Sequence, residues 1–463
     1  MSNEDKIIFI KKINKKGRRH EGVNELALEL IKIHNFITIG DRTPEVYTYD
    51  NGMYRVATKL EIFAIINDIL GLETGETLRN DIINAIKSFC YRTNNKDVFK
   101  TAPLNLINLR NGVYNTDTKE LLPHDPKYYF AYRFPINYDP AQTCPTVSYF
   151  LENTFTEAQQ DTIEEWIGYM FHRDYMIKKA LVIVGEGDTG KTTFLEMIKC
   201  LIGPENISGV TLNQMSEDKF ATQQMCNRHA NIFDELSKSD VNDTTTFKMA
   251  TGNGTMTGEQ KFGERFQFVN YAKLTFACNE IPEVKDLNDE AYFNRWIVIR
   301  LEKTVERKIL NYVKFLTTEE ELSGLFNIAM KSLERLKEQT HFSYKNSGID
   351  TKKEMMLGGS SVAKFATLRV EQAVGEQITK SRLFEIYEQF CIDNKLASVS
   401  KLNFGKKVKG VMPYVSETRQ YNYLTKKQDE TWANLKIIKT EEETLQALEE
   451  DNWFKPNIVI ELP

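Results

Sequence analysis

Residues 185–192 read Gly185-Glu186-Gly187-Asp188-Thr189-Gly190-Lys191-Thr192, and Thr193 follows. Every fixed position of the G-x-x-x-x-G-K-[ST] pattern is filled. Glycines let the backbone close around a phosphate, and successive N–H groups with the positive end of a following helix face the anion. Lys191 is placed to reach the β- and γ-phosphates of a nucleotide such as ATP, and the Thr192 hydroxyl to ligate Mg²⁺. The alternative is a glycine-rich turn that matches by chance. The context weighs against it, because the apolar run Leu181-Val182-Ile183-Val184 leads in and a helical pattern over Thr193 to Ile202 leads out.

Further along, Asn231-Ile232-Phe233-Asp234-Glu235 is an apolar run that ends in two carboxylates. Asp234 suits a place at the metal, and Glu235, one residue on, suits a base that activates water. Taken alone, such a pair is more often a solvated loop; after a phosphate loop it reads as functional. Leu274-Thr275-Phe276-Ala277-Cys278-Asn279 ends in an amide that could bond the γ-phosphate or the lytic water, or could simply close an Asx turn. Arg295 sits between aromatics in Tyr292-Phe293-Asn294-Arg295-Trp296. It could be a surface arginine or a finger that stabilises a neighbour's transferred phosphoryl group, and residue types alone leave these equal. Between the acidic pair and Asn279, Met256 to Phe268 reads as a β-hairpin with Gly263 near its tip. Lys261 and Phe262 there offer a cation for phosphate and a ring for stacking, or form an ordinary surface turn.

Four apolar runs must position these groups: Ala180–Val184, Ala230–Phe233, Lys273–Ala277 and Trp296–Ile299. Short buried strands separated by helices predict a mostly parallel sheet with helices on both faces. Before it, Glu25 to Ile33 reads as an amphipathic helix, Val46 to Tyr54 as strands around Asp50-Asn51-Gly52, and Leu60 to Tyr91 as two helices broken near Gly71 and Gly75. Leu104 to Tyr114 alternates apolar positions around an Asn-Gly turn, and Thr156 to Tyr175 is helical. After the sheet, Glu306 to Glu338 is helical, Phe342 to Gly359 is the best linker, and 360–435 gives several helices and then a short β segment.

The chain has 463 residues, enough for roughly three domains. With 41% hydrophobic and 27% charged residues it has the composition of a globular protein. No apolar run approaches the ~18 residues a membrane span needs, and the N-terminus has no secretory core. Six scattered cysteines without a CxxC pair argue against a disulfide framework or zinc site and for a reducing cytosol. The net charge of −5 excludes a nonspecific polycation coat but not a channel lined locally with lysines.

Taken in order, Gly185–Thr192, Asp234-Glu235, the hairpin around Lys261 and Asn279 resemble the superfamily III helicases, the AAA+ motors of viruses, phages and plasmids. The nearest subgroup is the poxvirus and phage primase-helicase family. The four elements stand as Walker A, Walker B, channel hairpin and sensor. The resemblance implies an α/β fold: an AAA+ P-loop motor with a mostly parallel five-stranded sheet, an α+β N-terminal region and a C-terminal winged-helix domain. It divides the chain into 1–150, a motor over 151–340, a linker over 341–359 and a winged-helix domain with its tail over 360–463. Lys261 and Phe262 would grip DNA. Arg295 would act in trans, as in the polyomavirus T-antigen pattern, where an arginine follows a sensor Asn-Glu and a proline, here Asn279-Glu280 and Pro282. Lys248 could also act in trans.

Asn105–Val113 followed by His124-Asp125-Pro126-Lys127-Tyr128-Tyr129 resembles the family's pre-motor region. In the winged helix, Lys406, Lys407 and Lys409 would lie on the recognition helix beside Lys401, Ser416 to Tyr423 with Arg419 would form the wing, and Trp432 would close the core. That basic helix could equally be a solvated face. The family implies a homo-hexamer that tracks single-stranded or forked DNA 3′ to 5′, with ATP and Mg²⁺. Too little chain precedes the pre-motor region for a primase, so a separate primase or primer protein is the expected partner and origin DNA the expected target. Two other readings remain: an AAA+ remodeller without unwinding, and an origin-binding protein that uses nucleotide only to assemble.

Overall fold

Apolar runs long enough for a strand but too short for a helix line up side by side. In the computed structural model they are β1 (Ala180–Val184), β2 (Ile207–Ser208), β3 (Ala230–Phe233), β4 (Lys273–Cys278) and β5 (Trp296–Arg300). Their order is β5-β1-β4-β3-β2, and every neighbouring pair is parallel. The structure describes residues 3–15, 17–40, 44–71, 74–91, 98–236, 244–259, 265–281, 289–304, 309–422 and 427–438. Both faces of the sheet are covered, which is why the runs are mostly apolar rather than alternating, and their polar members Asn231, Lys273 and Thr275 are buried. Leu181, Ile183, Ala277, Ile297 and Ile299 face one core; Ala180, Val182, Val184, Phe276, Trp296 and Val298 face the other.

On the first face lie α1 (Glu157–Met170), α2 (Lys191–Ile202) and, further along the chain, α4 (Glu319–Gln339). The long helices α1 and α4 approach closely, because a Cβ on Gly168 would stand 2.3 Å from the Ala329 carbonyl oxygen. Trp166 of α1 reaches the sheet, its Nε1 donating to Thr275 Oγ1 at 3.0 Å. Next to it Glu165 is fully buried and accepts from Arg335 Nε, Gln339 Nε2 and the Ser343 amide and hydroxyl at 2.7–2.9 Å. A lone buried carboxylate would be costly; four donors from the end of α4 and the chain after it satisfy this one.

On the second face lies α3 (Thr245–Ala250), where Phe247 stacks on Trp296 with centroids 4.6 Å apart. So does α5 (Gly348–Gly359), which buries Met355 in that core. The polar stretch 341–359 that reads as a linker thus contains a docked helix. Its glycines and serines carry poor helix propensity, and tertiary contacts outweigh it.

Residues 3–90 form a separate core from four helices, with Leu26, Leu30, Ile62, Ile66, Ile82 and Ile86 inside. The expected hairpin is present: Glu45–Asp50 pairs with Met53–Val56, and Asn51 (φ 49°) and Gly52 (φ 85°) give the left-handed turn such hairpins require. The hairpin Leu106–Leu109 with Gly112–Asn115 does not belong to that core. Its Leu106, Leu109 and Val113 join the core beneath the sheet, as do Val147 and Phe150 of the helix Pro145–Thr154. A division of the chain at residue 150 therefore passes through a helix and through one continuous core.

Residues 361–437 hold three helices, Ser361–Arg369, Lys380–Asp393 and Lys401–Val411, and an antiparallel sheet. Its strands run Val370–Thr379, Lys427–Ile437, Ser416–Asn422 across the sheet. Phe365, Tyr387, Phe404, Val408 and Trp432 make the core. The first strand, between two helices, departs from the expected run of helices followed by β structure. Among the described residues no helix is long and apolar enough to cross a membrane.

Candidate functional site

The sheet order brings three sequence-predicted groups to one edge. Val184 pairs with Cys278 and Phe233 with Phe276, so Gly185 is level with Asn279, and Asp234-Glu235 with Ala277-Cys278. The register continues past the strands: Gly185 N donates to Cys278 O at 3.2 Å and Leu236 N to Ala277 O at 3.1 Å. With strands ~4.8 Å apart and β4 between β1 and β3, the glycine loop and the acidic pair stand roughly 10 Å apart. Such a crevice, outside the carboxyl ends of parallel strands where the chain order reverses, is where open α/β sheets bind ligands.

The glycine loop is shaped by contacts at both ends. A Cβ on Gly185 would meet Thr189 Oγ1 at 2.8 Å, and Gly190 (φ 93°) is in the left-handed region. Thr189 donates to the Glu186 carbonyl at 3.0 Å and closes the loop. Glu186, Gly187, Asp188 and Thr192 are exposed, and Thr193 is half-buried on the first turn of α2. Lys191 Nζ reaches back to Gly185 O (2.5 Å) and Glu186 O (2.6 Å). Burial pushes the Lys191 ammonium below its ordinary pKa, against the pull of Cys278 and Asp188. Beneath it, burial pushes the Cys278 thiol up to about 12.

Asp234, Glu235 and Asn279 are all exposed at this edge. Lys199 of α2 lies 2.9 Å from Glu196 and 4.0 Å from Asp234, a cation beside the carboxylate that no sequence pattern marked. Arg300, the last residue of β5, pairs with Val184. Its side chain lies on the Cys278 face and is held by Glu354 of α5, Nε to Oε1 2.7 Å. It too went unmarked, because its place at the site comes from strand pairing and its partner is 54 residues away.

Arg295 lies elsewhere. Its carbonyl accepts from Ala180 N at 2.7 Å, at the opposite edge of the sheet from Gly185. Its Nη1 donates to Ala291 O at 2.6 Å, while its Nε is buried with no hydrogen-bond partner among the described residues. Burial lowers its pKa, and Asp289 opposes the shift. Lys248 is at the same edge, 2.6 Å from Asp289. Burial would raise the Asp289 carboxyl, but hydrogen bonds from Lys248, Thr244 and the Tyr292 amide outweigh it and hold it low.

The hairpin is formed, Thr255–Glu259 pairing antiparallel with Arg265–Val269. Lys261 and Phe262 at its tip, and Pro282, lie outside the described residues, as do Tyr423 and the tail beyond 438. On Lys401–Val411, Lys406 and Lys409 are exposed and Lys407 half-buried. Lys409 is 2.9 Å from Glu417 of the neighbouring strand, and Arg419 is exposed on that strand.

Residues 27–156 match the family described as "D5 N terminal like", and residues 183–295 match a family of unknown function, DUF5906. A protein of Acanthamoeba polyphaga mimivirus named as a candidate helicase, L207/L206, is 27% identical over 132 residues, which is 27% of this chain and 14% of the relative. The match thus spans a small part of that relative's length. The apo C-terminal region of NrS-1 superposes with a TM-score of 0.45 at 14% identity over 89% of this chain and 98% of that one. A second apo structure of that region gives 0.46 at 14% identity over 89% and 99%. The chain therefore carries a D5-like N-terminal segment and resembles, over part of its length, a helicase-named viral protein.

Proposed function

We propose that this chain is an AAA+ P-loop motor of the superfamily III type: an ATP-hydrolysing, ring-forming DNA helicase that moves 3′ to 5′ on single-stranded DNA. Its setting is replication initiation by a phage, plasmid or other mobile element, beside a separate primase and on origin DNA, in the cytosol of a host cell. The observation that carries this reading is the convergence of the Gly185–Thr192 loop, Asp234-Glu235 and Asn279 at one sheet edge while Arg295 stands at the other.

The residues fit the group they would hold. Thr192 and Asp234 offer oxygen donors, the set a hard divalent cation takes. Bound there, Mg²⁺ would supply neutralising charge at the β- and γ-phosphates of ATP. Lys191, now against two loop carbonyls, would turn to phosphate oxygens. Glu235 would take a proton from the attacking water, and Asn279 would orient that water. Arg295 would serve the site of the next subunit, which makes a ring, by family likeness a hexamer, the working unit.

Hydrolysis would move the hairpin between β3 and β4, whose sequence carries Lys261 and Phe262. The C-terminal helices and sheet read as a winged helix, with Lys401–Val411 against the duplex and the last two strands as the wing. Lys406 and Arg419 would meet phosphates directly; Lys409 would first exchange Glu417 for them.

The test is unwinding of a forked DNA with a 3′ tail, wild type beside Lys191→Ala. Strand separation by the wild type alone supports a helicase. DNA-stimulated ATP hydrolysis without strand separation would reduce the chain to a translocating or loading ATPase.

A further inference from the structure

The edge of the sheet that carries Arg295 also borders a groove. A cavity of 190 Å³ lies between Phe99 and Lys100 of the D5-like segment, Arg173 after α1, and Tyr271 just before β4. Beside it an open trough of 1070 Å³ is lined by Tyr47, Phe220, Arg228 and Phe266 of the hairpin strand. Phe99, Ala131 and Asn227 line both, so the two are one continuous groove.

Its chemistry is mixed in a specific way. Rings come from five separate segments, carrying Tyr47, Phe99, Tyr132, Phe220 and the pair Phe266 and Tyr271, and Phe220 is 48% exposed. Cations lie between them. The Arg173 guanidinium sits over the Tyr132 ring, 5.5 Å from its centroid, and Nη2 is fixed by the Ala102 and Pro103 carbonyls at 2.7 and 2.8 Å. Arg228 is anchored on the Glu205 carbonyl, and Lys100 is exposed. Against these three cations the lining holds one carboxylate among the described residues, Asp174. An apolar peptide would ask for contiguous hydrophobic surface. Rings spaced by cations instead suit a flexible polyanion whose subunits carry flat apolar faces.

We propose that this groove binds a segment of single-stranded nucleic acid, with bases against Phe99 and Phe220 and phosphates toward Lys100 and Arg228. This deepens the helicase reading, on which it rests for the origin of the strand. Tyr271 and Phe266 border the groove, and β4 runs from Tyr271's side straight to Asn279 at the other edge. One strand of the sheet thus joins the bound segment to the nucleotide site, beneath the hairpin.

The experiment uses the full chain and oligo-dT carrying 5-iodouracil, photocrosslinked without nucleotide, with the attached peptides sequenced. Crosslinks at Phe99 or Phe220 are the expected result; crosslinks confined to the hairpin tip or to 401–437 overturn the proposal. In parallel, anisotropy with fluorescein-labelled oligo-dT compares wild type with Phe220→Ala and Lys100→Glu, both exposed positions. Loss of a stacked ring should weaken binding about tenfold. Wild-type affinity in both variants, or equal affinity for blunt duplex, overturns it. The two readings fail separately: crosslinks in the groove with no unwinding of a fork would sink the helicase and leave the groove standing. Unwinding with no groove crosslinks would do the reverse.

Discussion

Arg295 and Ala180 are joined by a 2.7 Å backbone hydrogen bond that fixes Arg295 beside the first residue of β1, whereas the Gly185–Thr192 loop leaves from the last. Five strand residues at ~3.3 Å each put roughly 16 Å between the two ends. At that separation the arginine does not reach the loop of its own chain. In the ring proposed above it would face the next one, and its buried Nε has no hydrogen-bond partner among the described residues.

Arg295→Ala should therefore lose ATP hydrolysis by about 10³-fold or more, the scale of an arginine finger. Mixed with Lys191→Ala subunits, it should recover activity, because each variant supplies what the other lacks at a shared interface. Steady-state ATPase of the mixture against each variant alone reads this. No recovery at any ratio would return Arg295 to the role of a surface residue.

Arg300 ends the strand that Arg295 immediately precedes, so the two arginines stand at opposite ends of β5. It stands opposite Val184, and Glu354 holds it at 2.7 Å. If the proposed nucleotide site is right, Arg300→Ala should weaken nucleotide binding about tenfold by removing positive charge from the edge that carries Gly185–Thr192, with Arg300→Lys recovering part of it. Both partners are more than a fifth exposed, so the loss of folding stability should stay near ~1 kcal/mol after screening. Fluorescent-nucleotide titration beside a thermal melt separates the two effects. Unchanged nucleotide affinity would make the pair a strut that docks α5 and nothing more.

Burial lowers His172 to about 3, with Lys273, Lys337 and Arg173 adding to the shift. The ring is neutral in the folded chain, while the unfolded chain takes up a proton below its ordinary value of 6.5. The unfolded state then binds more protons, so stability is present above pH 6.5 and falls as the pH drops toward 3. By pH 5 the loss should be on the order of 2 kcal/mol. Melting midpoints between pH 7 and pH 5 should fall more steeply for wild type than for His172→Gln. Parallel profiles would assign the acid sensitivity to other groups.

Much of this was legible in the residues. Strands β1, β3, β4 and β5 stand where mostly apolar runs place them, because a strand covered on both faces has no regular polar alternation to blur it. The Asn51-Gly52 hairpin was legible because few residues other than Asn and Gly tolerate its left-handed turn. β2 was not, since two residues carry no period. Val370–Thr379 was not either: most of its residues are exposed, and its register shifts between Gln372 and Gln377, near Gly375. At the site, Lys191 and Asp234 announce themselves through local patterns. Arg300, Lys199 and the groove arise from contacts between distant segments, which no local pattern records. Lys273 is the extreme case. It opens β4 wholly buried, its ammonium on the His172 and Tyr271 carbonyls at 2.7 Å and 4.3 Å from the Tyr169 ring centroid.

Glu235 offers the sharpest separation of binding from chemistry. It follows Asp234 by one residue just past the end of β3, so it sits at the same edge but is displaced along the chain. A group so displaced can face the attacking water without occupying the metal's place. Glu235→Gln keeps the size and the hydrogen bonds but removes the base. Hydrolysis should fall by about 10²–10⁴-fold while ATP affinity stays within a few-fold. The same variant should stay assembled on single-stranded DNA in the presence of ATP, since nothing resets the ring. ATPase turnover, nucleotide titration and size-exclusion with labelled oligonucleotide read the three quantities on one preparation. Turnover equal to wild type would remove Glu235 from the chemistry and leave nucleotide as a trigger for assembly alone.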